Sequence, residues 1–179
     1  MTAVNFIRVE RWTPDAAVDR DLDMLGGVLH ACVHAGASVS FVLPFSRDDA
    51  RAFWRDQVLP GVSAGSRCVL LARREGRIVG TVQLDLATPP NQPHRAEVKK
   101  LLVHPEARRG GIARLLMAAA EEQARGAHRT LLTLDTVTGG PAEPLYRSLG
   151  YVASGVIPGY ALNFDSSVLE STTVMYKAL

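Results

Sequence analysis

Apolar residues at Val18, Leu22, Leu25, Leu29 and Val33 recur every three or four positions, the spacing that gathers them on one helix face. Thr13-Pro14-Asp15 predicts the start of that helix, a capping residue ahead of a first-turn proline, and Gly36 its end. Ser46-Arg47-Asp48-Asp49 is a capping-box pattern and opens a second helix carrying Phe53, Trp54 and Val58 up to Pro60-Gly61. Strand-like runs surround this helical pair. Phe6 to Val9 reads as a first strand, and Cys68 to Ala72 and Ile78 to Leu86 flank Glu75-Gly76 as an antiparallel hairpin. After the loop Pro89 to Pro93, Val98 to Val103 is a strand stopped by His104-Pro105, where proline offers no N–H to a ladder. The helical period resumes at Ile112, with Leu115, Leu116 and Ala118 to Ala120 on its stripe. Thr130 to Thr136 is a strand, Pro141 to Ser148 a short helix that tolerates Pro144 only near its start, and Tyr151 opens the last strands. The order predicts a mixed α/β fold with one crossover, in a single domain over residues 1–179.

Composition narrows the classes. A chain of 179 residues can bury a sizeable core without metals or disulfides. A net charge of +2 is too small to argue for nucleic acid, but Arg95, Lys99, Lys100, Arg108, Arg109 and Arg114 locally outnumber Glu97 and Glu106, which suits a compact polyanion. Cys32 and Cys68 lack metal or redox spacing and read as reduced, buried thiols; Trp12 and Trp54 read as packing residues. His30 and His34 share a helix face without a third ligand, so no metal is assigned. No signal-like run is seen, and no stretch approaches the roughly 18 apolar residues of a membrane span. The expectation is a cytoplasmic protein, monomer or homodimer, with no nucleic-acid or membrane partner.

The richest chemistry lies between Glu97 and Met117. Arg108-Arg109-Gly110-Gly111-Ile112-Ala113 joins the end of a strand to the start of a helix, with two cations and two glycines. Free N–H groups and the positive end of the helix dipole there favour a phosphate, although Gly-Gly with arginines also suits an ordinary surface turn. A nucleotide P-loop is excluded because no Gly-Lys-Ser/Thr follows, and G-x-G-x-x-G is absent too.

What remains, Arg108-x-x-Gly111-x-Ala113, resembles the pyrophosphate loop of the GCN5-related N-acetyltransferase (GNAT) family, usually Gln/Arg-x-x-Gly-x-Gly/Ala. Arg109 stands where many members have glycine. Leu145-Tyr146-Arg147-Ser148-Leu149-Gly150-Tyr151 resembles the family's second signature, Tyr-x-x-x-Gly-aromatic; the asparagine many members carry seven residues before that tyrosine is Gly139 here. The resemblance implies an acyl-CoA N-acyltransferase fold: a mostly antiparallel central sheet, flanked by helices, whose fourth and fifth strands splay around acetyl-CoA. It implies coenzyme contacts at Leu101, Leu102, Val103, Arg108, Arg109, Gly110, Gly111, Ile112 and Ala113.

Acetyl transfer to an amine needs a neutral amine, a polarised carbonyl and a proton for the leaving thiolate. Glu97 and Asp135, on the strands expected to splay, are placed to accept or hold the amine's proton; their plainer alternative is an exposed or capping role. The resemblance makes Tyr146 the acid at sulfur. His94 is a weaker candidate for substrate contact. Arg95-Ala96-Glu97-Val98, Leu134-Asp135-Thr136 and Pro158-Gly159-Tyr160 further resemble family members that acetylate small toxins, which implies substrate walls at Ser38 and Tyr160. The expected activity is acetylation of a small amino-acid-like amine; peptide acetylation or acyl-CoA sensing are the alternatives.

Overall fold

The computed structural model describes residues 6–179, and its strands form one seven-stranded sheet in the order β1-β2-β3-β4-β5-β7-β6. The strands are β1 (Ile7–Arg11), β2 (Arg67–Arg74), β3 (Arg77–Asp85), β4 (Arg95–Val103), β5 (Leu131–Val137), β6 (Val152–Leu162) and β7 (Leu169–Ala178). The helices are α1 (Val18–His34), α2 (Arg47–Phe53), α3 (Leu59–Ser63), α4 (Ile112–Gly126) and α5 (Glu143–Ser148). Every neighbouring pair is antiparallel except β4 and β5, which α4 joins as a parallel crossover. The hairpin turns at Glu75 and Gly76, both with positive φ (51° and 75°), as a two-residue primed turn requires.

Three expected helix features are corrected. Helix α1 begins at Val18, not at Thr13-Pro14, because Asp15 folds a turn first, its side chain accepting from Ala17 N–H (2.7 Å) and its carbonyl from Val18 N–H (3.1 Å). The second helix forms its capping box at Ser46 and Asp49 but does not end before Pro60. A π-turn over Trp54–Val58 carries the chain into α3, with Leu59 N–H reaching the Trp54 carbonyl, so Pro60 falls in a new first turn where its missing donor costs nothing. In α4 the buried positions are Ile112, Leu116, Met117, Ala120, Glu121 and Ala124, while Leu115 and Ala118 face outward.

Each sheet face has its own core. Helix α4 packs Ile112, Leu116 and Ala120 over Leu70, Val82, Val98, Leu132, Leu134 and Met175, so this core runs from β2 to β7. On the other face α1 to α3 pack Leu25, Leu29, Trp54 and Val58 over Val69, Leu71 and Leu102, covering strands β2 to β4 only. Beyond β4 that face is open, and Tyr176, Val152 and Ile157 on β7 and β6 are exposed. Trp12 and Trp54 are buried as expected, and Cys32 and Cys68 are buried free thiols.

Candidate active site

Strands β4 and β5 share a ladder only at Arg95–Glu97 against Leu131–Thr133. Past these pairs β4 stays on β3 and β5 stays on β7, so a fork opens between them and exposes backbone N–H and C=O groups on both inner edges. A β-bulge lies at the fork. Thr81 pairs with Leu102 and Gln83 with Lys99, leaving one extra residue on β4, and Lys100 takes φ +50°.

Glu97 is the last β4 residue paired with β5, half-buried at the root of the fork, where Lys99 Nζ approaches it (3.4 Å) and donates to Asp85 (3.0 Å). Asp135 lies two residues past the paired Thr133 on the same face, about 7 Å along the strand. It is exposed, and one oxygen accepts from the Thr172 hydroxyl (3.0 Å). Alternation sends Leu132 and Leu134 into the α4 core and Thr133 and Asp135 to the open face, which is why one carboxylate sits inside an apolar run.

Tyr146 comes from the other face. Helix α5 buries it in the α4 core against the edge of the Tyr151 ring, centroids 5.8 Å apart. Burial first, and the Asp135 charge second, push its phenol well above the ordinary value, so it keeps its proton. The Gly139 that replaces the family's asparagine turns the chain into α5. Its φ is +72°, and its N–H donates to buried Glu143 (2.7 Å), which also receives Arg147 (2.6 Å). Glu143 is a positioning residue that the sequence pattern did not mark.

The loop after β4 makes a backbone cradle. Gly111 caps α4 at φ +75° with no side-chain cap, and the first bond into the helix is Leu115 N–H to the Gly111 carbonyl (3.2 Å). The first-turn N–H groups of Ile112, Ala113 and Arg114 thus point out of the helix end, as a diphosphate needs. Arg109 holds φ +66°, a left-handed conformation that glycine adopts most readily. Arg108 folds back, its Nε donating to the Val103 carbonyl (3.2 Å), which also accepts from the Cys32 thiol (3.4 Å). The free N–H groups at the α4 end suit a diphosphate, and the β4 edge from Leu101 to Val103 borders the fork beside them.

The substrate candidates are spread out. Ser38 is half-buried in the α1–α2 loop, but it is Ser40 that reaches the fork, accepting from Lys100 Nζ (2.9 Å). His94 is exposed before β4, at the closed end of the fork, where its carbonyl accepts from Thr130 (2.8 Å) and Leu131 (3.1 Å). Tyr160 is exposed in the stretch where the β6 register shifts between Ile157 and Ala161, one strand from the Thr172 that holds Asp135. Leu43 N–H donates to the Phe164 carbonyl (2.7 Å), tying the α1–α2 loop to the β6–β7 turn beside the open face. A concavity of about 390 Å³ lined by Arg8, Glu10, Arg11, Trp12 and Arg73 lies by β1, at the far edge of the sheet from the fork. Among the described residues no group of three His, Cys, Asp or Glu side chains has a metal-binding arrangement, and no helix is long and apolar enough to cross a membrane.

Comparison with known proteins agrees with this geometry. Residues 33–151 match the acetyltransferase (GNAT) family. An uncharacterized N-acetyltransferase in the hisH-hisA intergenic region of Azospirillum brasilense is 31% identical over 130 residues, which are 68% of this chain and 75% of that protein. The IAA acetyltransferase of the same organism is 36% identical over 92 residues, 51% of this chain and 58% of its own length. Two solved structures share the fold. The ribosomal-protein-alanine N-acetyltransferase of Brucella melitensis has a TM-score of 0.78 at 24% identity, covering 96% of this chain and 99% of its own. The putative acetyltransferase yncA of Salmonella typhimurium, solved with its cofactor acetyl-CoA, has a TM-score of 0.73 at 18% identity, covering 96% and 94%. With a forked parallel strand pair, an uncapped helix end after the fourth strand and a family match across both, the chain belongs to the GNAT family of acetyltransferases.

Proposed function

We propose that the protein moves the acetyl group of acetyl-CoA to the primary amine of a small amino-acid-like molecule, by direct attack in a ternary complex. One observation carries this reading: two carboxylates, Glu97 and Asp135, stand on the open face at the root of the fork, while a protonated Tyr146 comes from the coenzyme side. The carboxylates draw in an ammonium and take its proton, directly or through water. The free N–H groups of β4 past Glu97 face the thioester carbonyl and stabilise its developing negative charge. The neutral amine forms the C–N bond, the C–S bond breaks as Tyr146 donates its proton to the departing sulfur, and the extra proton on the new amide nitrogen passes back to the tyrosine through water. Burial raises the Cys32 thiol, whose hydrogen goes to the Val103 carbonyl (3.4 Å), and Cys68 lies in β2 away from the fork, so neither offers a ready thiolate, which favours direct transfer over an acyl-enzyme.

The segments around Glu97, Asp135 and Tyr160 resemble the tabtoxin-resistance acetyltransferase, and this adds detoxification of an amino-acid-like toxin to the reading. A peptide or protein amine is the second reading, favoured by the uncovered apolar face of β6 and β7 beside Asp135. Thiol release from acetyl-CoA, followed across amino acids, small amines and short peptides, separates the readings. Turnover of small amino acids supports the first, and turnover of peptides alone the second. Coenzyme binding with no thiol release on any acceptor would leave a sensor in place of an enzyme.

A further inference from the structure

The chain has three lysines, and two are neutralised by carboxylates. Lys99 meets Asp85 (3.0 Å) and Glu97 (3.4 Å), and Lys177 meets Glu121 (2.7 Å). Lys100 has no carboxylate partner among the described residues. It sits half-buried on the fork bulge, its Nζ lying 5.4 Å from the centre of the Phe41 ring and 5.8 Å from that of Phe53. Its single hydrogen bond goes to the Ser40 hydroxyl (2.9 Å), so two of its three N–H donors are unused. Both residues of that bond have left-handed backbone, φ +50° at Lys100 and +73° at Ser40. The ammonium is half-buried, and the two rings beside it shield part of it from water while leaving room for an anion. Asp135 on β5 attracts it; Lys99 beside it and Arg67 on β2 repel it. The surroundings thus hold a positive charge that the protein itself leaves unpaired.

We propose that Lys100 receives a carboxylate of the acceptor, so that the substrate class is an amino acid whose amine lies at Glu97 and Asp135 and whose acid group lies on Lys100. This rests on the acetyl-transfer reading above. Lys100 follows Glu97 by three residues on β4, about 10 Å along the strand, and the bulge turns it toward Ser40 on the face that carries both carboxylates, so one acceptor can span the amine and acid sites, as an amino acid does. Burial lowers the Lys100 ammonium to about 8, and an arriving carboxylate favours its charged form by pairing with it.

The test compares amino acids with their own carboxamides, using wild-type protein, K100M and K100R. Wild type should favour the acid in kcat/KM by about tenfold or more, the size of a charge-assisted bond. K100M should erase that preference by lowering activity on the acid alone, and K100R should keep much of it. Equal use of acid and amide by the wild type, or an equal loss on both in K100M, overturns the proposal. A binding arm needs no turnover: calorimetric titration of the CoA-bound protein with N-acetyl amino acids and their amides. Acids that bind the wild type better than amides, with the difference lost in K100M, support the proposal; no difference in the wild type overturns it. If no amine releases thiol, the acetyl-transfer reading fails, while this titration still decides what Lys100 binds.

Discussion

Tyr146 carries the sharpest prediction for a single residue. Its hydroxyl is kept protonated by burial and by the Asp135 charge, and its ring packs on Tyr151. Tyr146→Phe keeps the ring and removes the proton, so kcat should fall about a hundredfold while the KM for acetyl-CoA stays within about twofold. Steady-state kinetics with acetyl-CoA varied checks this, and an unchanged kcat would remove the acid role. Lys100 makes a prediction about stability. Its ammonium is lowered from 10.5 to about 8 in the folded protein. Between these values the unfolded chain holds a proton that the folded chain has lost, so this group adds stability as pH rises and is destabilising below about 8. K100M should therefore melt above wild type near pH 7, with its lead narrowing toward about pH 10, as thermal denaturation would show. The places of Glu97 and Asp135 on the forked strands and of Tyr146 in α5 were legible in the sequence, because strand runs and a signature helix surround them. That of Lys100 was not, because in a regular strand Lys99 and Lys100 point to opposite faces, and only the bulge turns Lys100 toward Ser40 and the rings.

Among the elements, α4 depends on how closely its first turn approaches the sheet. A Cβ on Gly80 would lie 2.9 Å from the Leu102 carbonyl and 3.2 Å from both Ile112 and Leu116 side chains, so β3, β4 and the start of α4 meet over an absent side chain. Gly80→Ala should cost about 1–3 kcal/mol of stability by overpacking. It should also raise the KM for acetyl-CoA, because the cradle N–H groups move with that turn; a variant that melts lower but keeps its KM would separate packing from binding. At the other end of α4, Glu121 is buried and held by Lys177, which also donates to the Leu149 carbonyl (2.7 Å). Lys177→Ala leaves the buried carboxylate only the longer ion pair to Arg125 (3.9 Å) and should lower stability by about 1–3 kcal/mol in denaturant titrations at neutral pH. The apolar period identified α4, yet Leu115 and Ala118 fell outside its true stripe, because Glu121 on the inner face is paired from a strand some fifty residues later. The π-turn before α3 was likewise hidden: a proline ordinarily stops a helix, and only the slipped hydrogen bond at Leu59 lets the chain pass it. The hairpin, by contrast, was legible from Glu75-Gly76, since its turn chemistry is local.

For the whole molecule the fork is also the thinnest seam in the sheet. Three residue pairs join β4 to β5, whereas β5 meets β7 through seven. The α4 core spans the seam, but the α1–α3 core stops at β4, and both tryptophans belong to the latter. Tryptophan fluorescence therefore reports the β1–β4 half, while far-ultraviolet circular dichroism reports both halves. A coenzyme lying in the fork would contact Leu101 to Val103 on one side and reach Tyr146 on the other, replacing the missing strand pairing. At about 100 times its dissociation constant it should add about 2.7 kcal/mol, and so raise the melting midpoint by about 5–10 °C for a chain of this size. Because the ligand bridges the seam, both signals should rise together and keep one midpoint. A rise in fluorescence alone would mean that acetyl-CoA stabilises only the half carrying the loop from Arg108 to Ala113, and the fork would then not be its seat.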